Sequence, residues 1–193
     1  MLNKFLKRTP LVLLALNFIA CSFMTPKSVP SAADIEREEQ AIYAFFAGDG
    51  PVLIMQETNT NISKDDPEQS IEYIKSGLKN ISQETLDSYL DRNAQPTLLS
   101  PDMELGTEYT LVTADDLYEI TSQPNWGELL SEKYQGTHGY IIFSRVGFNS
   151  TLDQAVVYVG SVAGPLMGAG FYYLMEKKNG DWVIKEQVNV WIS

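Results

Sequence analysis

Apolar positions along the first two-thirds of the chain recur at helical spacing, and from Gly139 onward they alternate with a period of two. In residues 31–47, Ile35, Ile42, Tyr43, Phe45 and Phe46 supply an apolar face, while Glu36, Arg37, Glu38 and Glu39 read as the solvated side. Ser31 with Asp34 three residues later is a start signal, and Gly48-Asp49-Gly50-Pro51 is a stop. Residues 52–56 are a short β-branched run, a strand, and residues 59–66 are a polar loop. Residues 67–77 and 82–92 read as helices, the second with Leu86, Tyr89 and Leu90 inward. A proline-bearing connector over 93–101 leads to a strand at 109–113, a helix at 114–120 capped by Thr113, and a helix at 125–134 carrying Trp126, Leu129, Leu130 and Tyr134.

Four β-rich runs follow, at 140–146, 155–160, 171–177 and 182–192. Asn179-Gly180 between the last two predicts a two-residue type I′ hairpin turn, because both positions need positive φ. In the last run Trp182, Ile184, Val188 and Val190 fall at even spacing and should share one face with Glu186, with Val183, Lys185 and Trp191 on the other. The expected fold class is α+β: N-terminal helices followed by a four-stranded antiparallel C-terminal β-meander, in a single domain spanning residues 34–193.

The N-terminus follows a different logic. Lys4, Lys7 and Arg8 form a positive start, LVLLALNFIA (11–20) is an apolar core, and small Ala20 precedes Cys21. That is the pattern of a secretory signal, too short to span a bilayer, which needs about 20 apolar residues. Phe18-Ile19-Ala20-Cys21 resembles the bacterial lipobox. The resemblance implies cleavage before Cys21, a diacylglycerol on its thiol and membrane attachment; Ser22 after it favours the outer membrane, facing the periplasm. Residues 21–33, with Pro26, Ser28, Pro30 and Ser31, then read as lipidated cysteine and flexible tether.

Charge and composition narrow the chemistry. The net charge is −11, and removal of Lys4, Lys7 and Arg8 would leave 11 basic against 25 acidic residues, or −14. Such a surface repels phosphate backbones, so nucleic acid is not an expected partner. Cys21 is the sole cysteine, which rules out an intrachain disulfide, and His138 is the sole histidine. No zinc set can be assembled from them, and no Gly-x-Ser-x-Gly elbow accompanies His138, so neither a metal nor a catalytic histidine is expected. Asp65-Asp66 and Asp115-Asp116 lack calcium-loop spacing and read as loop and helix-start acids. The glycine-rich run with Gly164, Gly168 and Gly170 has no Lys and is followed by a strand, so it is no phosphate loop; it reads as a bulge or wide turn, with ligand contact as the alternative. Arg145 within an apolar run requires a partner, either an internal carboxylate or an anionic ligand, and His138 is the second candidate ligand or ion-pair residue. No cofactor motif is present.

SRVGFN (144–149), QAVVYVG (154–160), YYLMEKKNGDW (172–182) and the closing WIS (191–193) give the last third of the chain its most distinctive sequence. That part resembles a family of exported bacterial proteins of unknown function. Its members often carry two cysteines in the glycine-rich turn, where this chain has Ala163 and Met167, so a disulfide, metal or redox role at the turn is not implied here. Three functional classes stay open at this point. They are a lipid-anchored, non-enzymatic interaction or binding module with an envelope protein or small ligand as partner, a small-ligand pocket resembling the NTF2-like arrangement, and a carboxylate-based envelope hydrolase.

Overall fold

The computed structural model describes residues 29–164 and 166–193; Cys21 and the expected signal lie outside them. The first helix, α1 (Ala32–Ala47), begins with a reciprocal cap. Ser31 Oγ accepts from the Asp34 N–H at 3.2 Å, and the Asp34 carboxylate accepts from the Ser31 N–H at 3.0 Å. Strand β1 (Val52–Met55) leads to α2 (Pro67–Gly77), whose proline sits at the first turn and whose cap is Asp66, and to α3 (Gln83–Arg92), capped by Ser82. Then come β2 (Tyr109–Val112), α4 (Ala114–Thr121), capped by Thr113 and Asp116, and α5 (Trp126–Lys133). The chain closes with β3 (Tyr140–Phe143), β4 (Gly147–Phe148), β5 (Gln154–Gly164), β6 (Met167–Lys178) and β7 (Asp181–Ile192).

The expected four-stranded meander is incorrect. The strands form a seven-stranded mixed sheet in the order β2-β1-β3-β5-β6-β7, with β4 on β5. β3, β5, β6 and β7 are antiparallel neighbours, but β1 pairs parallel with both β2 and β3 and extends the sheet beyond them. Parallel neighbours need long crossovers, and the pairs α2–α3 and α4–α5 supply them. The overall class is still α+β.

Helices cover both faces, α1 one of them and the two crossovers the other. On one face α1 sets Ile42 and Tyr43 against Ile54, Phe143, Val157 and Met175. On the other, Ile74, Leu78, Leu86 and Tyr89 of α2 and α3 cover Val156, Tyr158, Tyr172 and Leu174. Leu117, Ile120, Trp126 and Leu130 of α4 and α5 cover Leu53 and Val112. Each such aliphatic side chain contributes about 1.5–3 kcal/mol by leaving water. Asn179 (φ 56°) and Gly180 (φ 100°) turn β6 into β7 with the left-handed backbone their sequence favours.

Two strand expectations also change. The run 140–146 breaks after Phe143, so Arg145 lies in the gap between β3 and β4 and not within a strand. β6 starts at Met167, so Gly168 and Gly170 are strand residues. In β7 the alternation of faces is interrupted: Met175 pairs with Ile184 and Leu174 with Glu186, which leaves Lys185 as an extra residue.

Candidate functional site

Two regions gather polar side chains. The first surrounds Glu39, which the apolar pattern of α1 had placed on the solvated side. It is instead buried, at 5% exposure. Its position explains this, since Glu39 is four residues from Ile35 and from Tyr43 and three from Ile42, inside the apolar stripe. Arg145 grips it in a fork, with Nε 2.9 Å from Oε1 and Nη2 2.8 Å from Oε2. Oε1 also accepts from the Val146 N–H at 2.8 Å and from Tyr43 Oη at 3.2 Å. Arg92 brings Nη2 to 3.1 Å of Oε1, close enough for an ion pair, but neither this nitrogen nor the buried Nε is aligned with an acceptor.

The backbone around Arg145 is equally fixed. Asn93 Oδ1 accepts from the Arg145 N–H and Asn93 Nδ2 donates to its carbonyl, both at 2.9 Å. Tyr43 Oη donates to the Ser144 carbonyl at 2.9 Å. Burial pushes the Glu39 pKa up, but the Arg145 hydrogen bonds, the charges of Arg92 and Arg145 and the Val146 N–H outweigh it, so the carboxyl is held below its ordinary pKa. Arg145 therefore has the internal carboxylate partner that its sequence context required. A cleft of about 360 Å³ opens beside this cluster, bordered by Glu36, Gln40 and Met103.

The other residues singled out from sequence lie apart. His138 is exposed on the connector between α5 and β3. The glycines of the turn serve the packing of Trp191. A Cβ on Gly170 would fall on Trp191 Nε1 and 2.7 Å from Tyr158 Oη, and one on Gly168 would lie 2.9 Å from Ser193 Oγ. Gly164 closes β5 against Met167. Asp66 and Asp116 act as helix caps. Cys21 lies outside the described residues.

The second region is an open groove of about 830 Å³ between the 59–63 loop, α2 and the sheet. The loop contributes Asn59, Asn61, Ile62 and Ser63, the helix contributes Gln69, Glu72 and Tyr73, and the sheet contributes Tyr172 and Val190. The loop is rigidly tied. Asn59 Oδ1 accepts from the Asn61 N–H at 2.8 Å, Thr60 Oγ1 from the Ile62 N–H at 3.1 Å, and Ser70 Oγ from the Ser63 N–H at 3.1 Å. Asn61 takes φ 53°, a left-handed conformation that asparagine tolerates. The Thr60 carbonyl accepts from both Tyr172 Oη (2.9 Å) and Tyr89 Oη (3.2 Å), which anchors the loop to the sheet. Burial and the neighbouring Tyr158 push the Tyr172 hydroxyl well above the usual tyrosine range, so it stays a donor.

Tyr73 Oη donates to the Asn189 carbonyl at 2.6 Å, yet the residue is 47% exposed, so its ring is held in place with one side facing water. The side-chain amides of Asn61 and Gln69 and the Glu72 carboxylate have no hydrogen-bond partner among the described residues. No sequence motif marked this groove. Its polar residues look like ordinary loop and helix surface until the fold brings Tyr172 and Val190 beneath them. No family model, curated protein or solved structure matches the chain.

Proposed function

We propose that this chain is a lipid-anchored cell-envelope protein whose domain is a non-enzymatic binding module, with the groove beside α2 as its site. One contrast supports the reading. The buried carboxylate Glu39 has its oxygens taken by structural donors, whereas the groove presents the Asn61 and Gln69 amides without internal hydrogen bonds beside a fixed aromatic ring. Glycoside-type hydrolysis needs two carboxylates facing one cleft with one of them free to hold a proton. Glu39 is the one buried carboxylate among the described residues, and its environment keeps it ionised. Side chains prepared to bind, with no group prepared to react, are what a binding module requires.

The anchor half of the proposal rests on Lys4, Lys7 and Arg8, the apolar run 11–20 and the Ala20-Cys21 junction. Intact-mass measurement of membrane-extracted protein should find a chain that begins at a lipid-modified Cys21. Cys21→Ser should release the domain from membranes or stall the precursor. An unmodified thiol on a chain cut elsewhere overturns the anchor. The binding half is tested by capture from native membranes with the wild-type chain and with Gln69→Arg, which places a long cation in the groove. A component retained by the first and lost by the second supports the module; identical captures refute it.

A further inference from the structure

Resting on the binding-module reading, we infer that the groove takes a neutral saccharide chain of a few sugar units. The lining includes no Lys or Arg, and its one charged group is the Glu72 carboxylate, so phosphates and carboxylates find no counter-charge there. An apolar ligand would cover the Asn61 and Gln69 amides without pairing them, which is costly. A peptide adding to the sheet as a strand needs a free edge. At this point the β7 edge is closed by α2, because Tyr73 already occupies the Asn189 carbonyl.

A sugar satisfies all three constraints. Adjacent hydroxyls on a pyranose ring give and accept hydrogen bonds side by side, and a planar amide offers one donor and one acceptor at matching separation. Asn61 and Gln69 each present such an amide, and Glu72 adds two acceptor oxygens. The opposite side of a pyranose is a face of C–H bonds, which packs on an aromatic ring. Tyr73 holds its ring half-exposed and immobilised by the Asn189 bond. The loop that carries Asn59 and Asn61 is already ordered by its own hydrogen bonds, so binding loses little conformational freedom. The volume, about 830 Å³, lies within the usual range of about 300–1,000 Å³ for ligand sites.

The test is saturation-transfer NMR on the full chain, extracted in a detergent without a sugar headgroup. The probes are neutral tri- and tetrasaccharides of β-linked N-acetylglucosamine, β-linked glucose, α-linked glucose and α-linked mannose, with a phosphorylated hexose as the charged control. At least one neutral probe should receive magnetisation on the C–H protons of one ring face, and the control should receive none. Gln69→Ala, a surface change, and Tyr73→Ala should each weaken binding by about tenfold or more. Gln69→Ala keeps the inference open to refutation if Tyr73→Ala fails to fold. Transfer to no neutral probe, transfer that both variants leave intact, or equal transfer to the phosphorylated hexose overturns it. If saccharides fail while Gln69→Arg still loses a membrane component, the saccharide assignment falls and the binding module stands. If that variant loses nothing as well, both fall.

Discussion

Removing the Glu39 carboxylate tests the interior of this protein most directly. Glu39→Ala leaves Arg145, whose side chain is 27% exposed, and Arg92, at 21%, facing each other without the anion between them. It also removes the acceptor for the buried Val146 N–H. Breaking one partner out of a buried ion pair costs about 3–5 kcal/mol, and the orphaned amide places this case toward the upper end. Arg145→Ala should cost less, because Glu39 keeps the Val146 N–H, Tyr43 Oη and the nearby Arg92. The double variant should cost less than the sum of the two, since the second change removes a charge that the first left unpaired.

Urea melts give these differences directly, and the acid limb supplies an independent check. The folded-state pKa of Glu39 lies below its unfolded value of about 4.3. In that window the unfolded chain binds the extra proton, so this contribution to stability is full above about pH 4.3 and is lost as pH falls through the folded value. Glu39→Gln should therefore flatten the loss of stability below about pH 4.3 relative to wild type and leave the slope at neutral pH unchanged. A Glu39→Ala cost below about 1 kcal/mol, the size of an exposed salt bridge, would refute the buried-clamp account.

Gly170→Ala places a methyl on Trp191 Nε1 and close to Tyr158 Oη, and should cost about 1–3 kcal/mol in urea melts, with partial rescue by Trp191→Leu. Trp182, 7% exposed, packs at a tilt against Phe148 and donates to Glu38 at 2.9 Å, so Trp182→Ala should lower stability by about 3–5 kcal/mol. Gly180→Val meets no atom within 4 Å but must hold φ near 100°, so it should destabilise through backbone strain alone, and Gly180→Asn should be milder.

Local signals carried most of the element map, because caps and turns are written in adjacent residues. Ser31 with Asp34, Thr113 as the cap of α4, and Asn179 with Gly180 each act where the sequence placed them. Strand partnership was not legible. β1 and β2 are four residues each, and nothing in VLIM or YTLV says that they lie side by side and parallel. The alternation of short strands with helix pairs between residues 52 and 143 was the available hint of parallel crossovers. At the interior site, Arg145 announced its need for a carboxylate, but choosing Glu39 among four consecutive charged residues required counting three and four positions from Ile35, Ile42 and Tyr43. The groove was illegible because Gln69 and Tyr73 acquire meaning only from Tyr172 and Asn189, about a hundred residues away.

β7 shows how a single residue decides which face a strand presents. Strict alternation would put Trp182 and Val188 on one side. The pairing of Met175 with Ile184 and of Leu174 with Glu186 inserts Lys185 as a bulge, so Trp182 packs under α1 while Val188 packs under α2 and α3. A second bulge at Val190, between the pairs Phe171–Asn189 and Gly170–Trp191, turns Trp191 toward Tyr158, to which its Nε1 donates at 2.8 Å. The groove depends on this arrangement, since Val190 lines it and Asn189 anchors Tyr73. Deleting Lys185 should remove the bulge without moving either segment, because Met175–Ile184 and Leu174–Glu186 become consecutive pairs and Trp182, then five positions from Val188, keeps the opposite face by strict alternation. The deletion should therefore cost little beyond the Lys185–Glu176 ion pair, about 1 kcal/mol or less. Lys185→Ala keeps the backbone and removes only a partly exposed ion pair with Glu176, a change of about 1 kcal/mol or less. Urea melts of the two variants separate the side chain from the inserted residue. A deletion more costly than Lys185→Ala by about 3 kcal/mol or more, the size of losing the Trp182 or Val188 site, would mean that the single inserted residue does not set the faces of β7.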